Sequence, residues 1–229
     1  MVDIDPCQDR QILVDIAGWQ GAKPPFAALA AAGVKGAIIK SWHGGYVPPV
    51  SKAQIDDATE AGLWPGRYGW LMASGKPSQV DEWVDDCLLG VWVDCEERGL
   101  THAFVHEVVE RLSDRHGRRP GLYVGSYFWD EMCGGVGHEC DVCGDCDLWL
   151  PAYPGKRTGG TAYQEAAAEV CAGKAPRLPT PWRQKGAAIW QFDGDRGLVM
   201  PDGVDVDVNT ANGPALLSRV LRRVWEAVP

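Results

Sequence analysis

Short runs rich in β-branched and aromatic residues alternate with amphipathic segments along most of the chain. "QILVDI" is followed by "PPFAALAAAG", "KGAIIKS" by "SKAQIDDATEAG", and "WPGRYGWLM" by "SQVDEWVDDCLL". The alternation resumes with "GVWVDCE", "HAFVHEVVERLSDRHG", "GLYVGS", "YFWDEM", "DLWLPAY", "AAIWQFD", "GVDVDVN" and a closing helix from about Pro214. Strand and helix in this rhythm predict a parallel α/β sheet. Roughly eight strands allow the sheet to close, and the short or missing helices late in the chain predict a compact, irregular β/α barrel of TIM-like design.

The 229 residues, 45% of them hydrophobic, suffice for one substantial core, so a single domain over 1–229 is expected. The Pro/Gly-rich stretch 154 to 187 reads as a long loop bordering the substrate cleft rather than a linker. No window approaches eighteen consecutive apolar residues, and "MVDIDPCQDR" places acids where a secretory signal would be basic then apolar. The expectation is a monomer without stable membrane insertion, made in the cytoplasm without an export signal of its own. A net charge of −9 spread along the chain argues against nucleic acid as a partner. The one basic run, Arg219, Arg222 and Arg223, has the spacing of a solvated helix face.

Charge becomes informative at "GVWVDCE". Side chains alternate along a strand, so Asp94 and Glu96 share one face while Val93 and Cys95 turn to the other. Two residues of strand separate their Cα atoms by about 6 to 7 Å, from which both carboxyl groups reach one substrate bond. Like charges that close push one acid towards neutrality and leave the other ionised, a proton donor beside a charge stabiliser. Alone, such a pair more often binds a cation or caps a loop. Here Asp15 closes "QILVD" and Asp207 closes "GVDVDVN", so three strands end in an acid where a parallel barrel gathers its active site. Aromatic residues collect at the same ends: Trp19, Trp42, Tyr68, Trp70, Trp149, Tyr153 and Trp190, from a total of eleven tryptophans. Some must fill the core. An acidic cleft lined by flat rings nevertheless suits a sugar polymer and favours glycoside hydrolysis.

The ordered motifs "VDIAGWQG", "AIIKS", "GRYGW", "VWVDCE", "GLYVGSYFW", "LWLPAY", "AIWQFD" and "VDVNTA" resemble glycoside hydrolase family 25, the Chalaropsis-type lysozymes common as phage endolysins, over about residues 11 to 212. The resemblance implies a muramidase that hydrolyses the β-1,4 bond between N-acetylmuramic acid and N-acetylglucosamine of bacterial peptidoglycan with net retention and without a cofactor. It implies Glu96 as general acid and then base, and Asp94 as either the orienting carboxylate for the substrate's 2-acetamido group or the nucleophile. Asp15 and Asp207 complete an acidic floor. Lys40, Tyr68, Trp70, Tyr123, Trp149, Tyr153, Trp190 and Gln191 line the saccharide groove. The phage analogy implies accumulation in the host cytoplasm and action on the wall after release. Ala17 stands where the family has Ser, and "KSWHGG" puts Trp42 and His43 at positions of different chemistry. These departures leave room for a second reading, a noncatalytic glycan-binding or wall-anchoring protein on the same barrel.

Four of the eight cysteines, Cys133, Cys140, Cys143 and Cys146, crowd into "CGGVGHECDVCGDC", within an apparent insertion at about 131–147. Four thiolates with His138 among them admit a structural zinc; paired disulfides and free thiols stay open beside it. Four thiolates would leave zinc no open position for water, which disfavours a metal-dependent hydrolase. His102 and His106 share a helix face, but "HEVVE" ends in Glu110 and fails the H-E-x-x-H pattern, so a solvated face is the expectation there. No G-x-S-x-G, P-loop or G-x-G-x-x-G occurs, and a chitinase signature would need acids at Leu89 and Trp92.

Overall fold

The computed structural model describes residues 9–153, 168, 171–173, 176–194, 206–215 and 217. Eight strands close into a barrel in chain order: β1 (Gln11–Ile16), β2 (Val34–His43), β3 (Trp64–Trp70), β4 (Val91–Asp94), β5 (Gly121–Tyr123), β6 (Asp147–Pro151), β7 (Ile189–Asp193) and β8 (Asp207–Ala211). Pairings from β1 through β7 are parallel, but β8 runs antiparallel to both β7 and β1. The expected all-parallel sheet is therefore a mixed one, and Asp207 begins β8 instead of closing it. Because β8 is reversed, its first residue still lies at the mouth formed by the carboxyl ends of the other strands.

Period-two alternation separates two packing layers. Leu13, Ile38, Tyr68, Leu89, Trp92, Tyr123, Trp149, Ile189 and Ala211 fill the barrel interior. Their neighbours face outward: Ile12, Val14, Ile39 and Val208 pack against α1 (Phe26–Ala31) and α2 (Ser51–Glu60). Val91, Val93, Leu122 and Leu148 pack against α3 (His102–His116), α4 (Ser126–Met132) and α5 (Asp141–Gly144). The α3 sequence explains its own ends. The Thr101 side chain accepts the Phe104 N–H, Gly117 takes the left-handed conformation at φ 69°, and Val105, Val108, Val109 and Leu112 give the buried stripe.

One expectation fails for an identifiable reason. "SQVDEWVDDCLL" forms only a 3-10 turn at Pro77–Val80 and then an irregular crossing. Its acids are committed elsewhere, Asp81 to Arg111, Asp85 to Arg118 and Asp86 to Arg67, while Trp83 is buried against Gly69 and stacks on Trp42. The segment "YFWDEM" forms most of α4, as the alternation predicts, and then gives way to the cysteine-rich loop. The closing helix starts at 213–215; most of it, with Arg219, Arg222 and Arg223, and most of the 154 to 187 loop lie outside the described residues. Among the described residues no helix is long and apolar enough to cross a membrane.

Candidate active site

Inward positions at the strand ends converge on one cavity of about 220 Å³. β1 supplies Asp15, β2 Lys40, β3 Tyr68 and Trp70, β4 Asp94, β5 Tyr123, β6 Trp149, β7 Gln191 and β8 Asp207; Glu96 and Tyr153 follow β4 and β6. Strand β4 ends at Asp94, yet the alternation carries one step further: Cys95 is buried in the outer layer and Glu96 turns back into the cavity. The Glu96 N–H donates to Asp94 Oδ1 at 3.2 Å, locking the two acids into one turn.

Asp15 is the best-held acid. Its Oδ2 accepts from Gln191 Nε2 at 3.0 Å and from Asn209 Nδ2 at 2.9 Å. Each donor is itself fixed. Gln191 Oε1 accepts the hydroxyls of Tyr123 (2.6 Å) and Tyr153 (2.8 Å), and Asn209 Oδ1 accepts Trp149 Nε1 at 2.7 Å. Burial raises the Asp15 pKa to about 6, opposed by those hydrogen bonds and one from Asp207, with the Asp94 charge adding to the rise.

Burial and then the charge of Glu96 push Asp94 well above the usual carboxylate range, while Lys40 and the Glu96 N–H favour its charged form. Glu96 rises to about 7, first through burial and then through Asp207, with Tyr123 pulling the other way. Both members of the pair are thus raised, where one ionised and one neutral acid was expected. The pair still holds one charge more readily than two, which supplies one proton donor and one carboxylate. Burial lowers the Lys40 pKa, and Asp94 counteracts it. The Lys40 ammonium lies 5.8 Å from the Tyr68 ring centre and 5.2 Å from that of Trp70. Trp70 is held in turn by its Nε1 donating to Glu97 Oε2 at 2.8 Å, and His43 stacks on it.

Trp190 is a correction. It follows Ile189 and precedes Gln191, both inward, so it faces the outer layer, where Nε1 donates to the Ala152 carbonyl. Trp42 also leaves the site, because the register shift between Lys40 and Trp42 turns it outward against Trp83 and Arg67. Asn209 and Glu97 were missed as site-supporting residues. Their signals were present, in the Asn of "VDVN" and the third acid of "DCEE". The cysteine cluster divides: Cys143 and Cys146 are buried in the outer layer, Cys133 and Cys140 sit half-buried at its edge, and all four are free thiols. A four-sulfur centre is not assembled, because Cys143 on α5 and Cys146 just before β6 both turn into the packed interior. Cys171, by contrast, is disulfide-bonded.

Among solved structures, the muramidase from Trichobolus zukalii is 24% identical, with 93% of this chain and 99% of that one covered at a TM-score of 0.68. The bacterial lysozyme from Streptomyces coelicolor is 20% identical, with 93% and 98% covered at 0.70. The catalytic domain of a Listeria monocytogenes bacteriophage endolysin is 17% identical, with 92% and 97% covered at 0.63. At these identities the likeness speaks to the fold, and no curated protein matches the chain. Residues 14–198 match the sequence model for Glycosyl hydrolases family 25, which takes in seven of the eight barrel strands in whole or part. The chain belongs to glycosyl hydrolases family 25 and is a glycoside hydrolase.

Proposed function

We propose that this glycoside hydrolase is a peptidoglycan muramidase, cutting the β-1,4 bond between N-acetylmuramic acid and N-acetylglucosamine with net retention. The observation that carries the reading is the Asp94–Glu96 turn, two raised carboxyl groups within one small cavity walled by aromatic rings. Tyr68, Trp70, Tyr123, Trp149 and Tyr153 offer flat faces and polar edges to sugar rings, and Lys40 offers a cation to the acidic muramyl substituent.

Glu96, neutral over much of its range below pH 7, donates its proton to the glycosidic oxygen as the C1–O bond breaks. The substrate's 2-acetamido carbonyl oxygen attacks C1 from the opposite face, giving a cyclic oxazolinium. The Asp94 carboxylate accepts the acetamido N–H and offsets the positive charge that develops. Water then attacks C1, Glu96 takes its proton, and the ring opens with the original configuration restored. Asp15 and Asp207, hydrogen-bonded to each other, keep the floor acidic, and no step calls on a cofactor. The site of action is the wall, reached after release from the cytoplasm in the manner of an endolysin, and the barrel works as a monomer.

The test is release of reducing ends from purified peptidoglycan, with mass spectrometry of the new terminal sugar. Wild type should expose muramic acid, and Glu96→Gln should lose about 10²–10⁴-fold in rate. Wall binding by wild type without any release would overturn the reading in favour of a noncatalytic binder.

A further inference from the structure

The cysteine-rich segment meets α3 at a second cluster of chemistry-bearing side chains, outside the barrel. His102 and His106 are four residues apart and therefore on one face of α3. One nitrogen of each and the Cys140 sulfur all lie within 4.8 Å of one another. Cys140 Sγ stands 4.0 Å from His106 Nδ1, and the other nitrogen of that ring, Nε2, is 3.6 Å from Glu110 Oε1. A carboxylate on the far nitrogen of an imidazole is the usual outer support of a metal-bound histidine. His138 packs beside them, its ring centre 4.4 Å from that of His102.

Two of these imidazoles carry the argument further. His102 Nε2 and His138 Nε2 are both buried without a hydrogen-bond partner. A solvated helix face would present these nitrogens to water, and a packed core would pair them. An unpaired buried nitrogen on His102, a member of a group that holds a second imidazole and a free thiol, and another on the adjoining His138 ring describe a place prepared for a ligand that accepts lone pairs.

We propose that His102, His106 and Cys140 bind a structural zinc(II) ion, completed by His138, which clamps α3 to the 133–146 segment. Tetrahedral coordination with Zn–N near 2.0–2.1 Å and Zn–S near 2.3 Å places neighbouring ligand atoms about 3.4 to 3.7 Å apart. For His102, His106 and Cys140, contraction from a spread within 4.8 Å needs shifts of about 1 Å, with the His106–Cys140 pair already at 4.0 Å, and His138 turns in from its place beside His102 to join them. Binding displaces one proton, from the Cys140 thiol, and leaves the histidines neutral. Three imidazoles and one thiolate close the coordination sphere, so the ion ties two chain segments together and has no part in sugar hydrolysis. The segment gains most, since Gly134, Gly135 and Gly137 all adopt positive φ and Val136 is exposed, leaving it little apolar packing of its own.

The experiment uses the full chain, stripped with a chelator and kept reduced, then loaded with zinc(II) or cobalt(II) and desalted. Wild type should retain one equivalent of zinc, show a thiolate-to-cobalt charge-transfer band, and unfold several degrees higher with zinc than without. Cys140→Ser should lose the charge-transfer band, and His106→Ala should lose the zinc equivalent and its thermal shift. Both should keep the wild-type near-ultraviolet circular dichroism, which reports the intact barrel tryptophans. Glu110→Gln, which removes the carboxylate beside His106 Nε2, should bind about tenfold more weakly. Retention of no zinc by reduced wild type, or of as much by Cys140→Ser and His106→Ala as by wild type, would overturn the site. The result is independent of activity on peptidoglycan.

Discussion

Asp15 and Asp207 face each other directly across the β1–β8 junction, as antiparallel partners in register. This junction is one of two antiparallel seams in the barrel, and it puts two carboxyl groups side by side at the mouth. Asp15 is held by Gln191 and Asn209 as well as by Asp207, whereas Asp207 is the second cause, after burial, of the raised Glu96 pKa. The reversed strand therefore adds, after burial, to the proton affinity of the residue assigned to donate.

Asp207→Asn removes a negative charge near Glu96 and so makes ionised Glu96 easier to form. The alkaline limb of the pH–rate profile, expected near 7 in wild type from Glu96, should move to lower pH in whatever activity remains. A limb that stays in place would show that Asp207 does not govern the acid, and initial rates across pH 4 to 9 on soluble peptidoglycan fragments decide it.

Stability should depend on Glu96 in the opposite sense from an ordinary paired acid. Its folded pKa, about 7, lies above the reference value of 4.5, so the native state binds the extra proton between those values and loses stability as pH rises through them. The shift corresponds to roughly 3 kcal/mol at full ionisation. Glu96→Gln should then be more stable than wild type at pH 8, with the difference fading by pH 4, as read from urea unfolding at each pH. Equal stability of the two at pH 8 would contradict the buried charge.

The alternation of strands and helices was legible because a closed barrel must bury alternate residues inside and out, and that leaves period two in the sequence. Strand direction was not legible: "GVDVDVN" reads the same in either sense, so Asp207 reached the mouth by a different route from the one expected. Parity would have separated Trp190 from Gln191, since adjacent residues of one strand cannot both face inward. Trp42 was beyond that rule, because the irregularity after Lys40 reverses the side on which it falls. The segment around Trp83 carried a helix-like pattern whose acids were fixed by distant arginines, and no local reading sees those partners.

Gln191 joins the tyrosines to the acidic floor, and its loss should be felt on both sides. Gln191→Leu removes a donor from Asp15 and the common acceptor of Tyr123 and Tyr153. Stability should fall by about 2 kcal/mol or more, because a buried hydroxyl and a buried carboxylate both lose a partner. Tyr153→Phe, at the exposed rim, should cost less than about 1 kcal/mol. Urea titration of the two variants separates a network centred on Gln191 from one spread evenly over the rim.

Beneath the cavity, Gly121 of β5 is the point at which the barrel wall meets its filling. A Cβ there would fall 2.1 Å from Trp92 Cε3, inside any allowed contact, although the backbone itself is ordinary. Trp92 cannot retreat freely: its Nε1 donates to the Leu89 carbonyl at 3.1 Å and its ring meets the edge of Trp149 at 5.8 Å. Trp149 fixes Asn209, and Asn209 holds Asp15. Gly121→Ala should therefore cost about 1–3 kcal/mol by overpacking and also lower kcat, since the displacement passes through two tryptophans to the acidic floor. Gly117→Ala supplies the contrast. At φ 69° with open space around its Cα, it should lose about 1 kcal/mol through backbone strain, with kcat unchanged. If both alanine variants lost stability alike with kcat intact, the edge-to-face tryptophan pair would be mere filling rather than the support of the site.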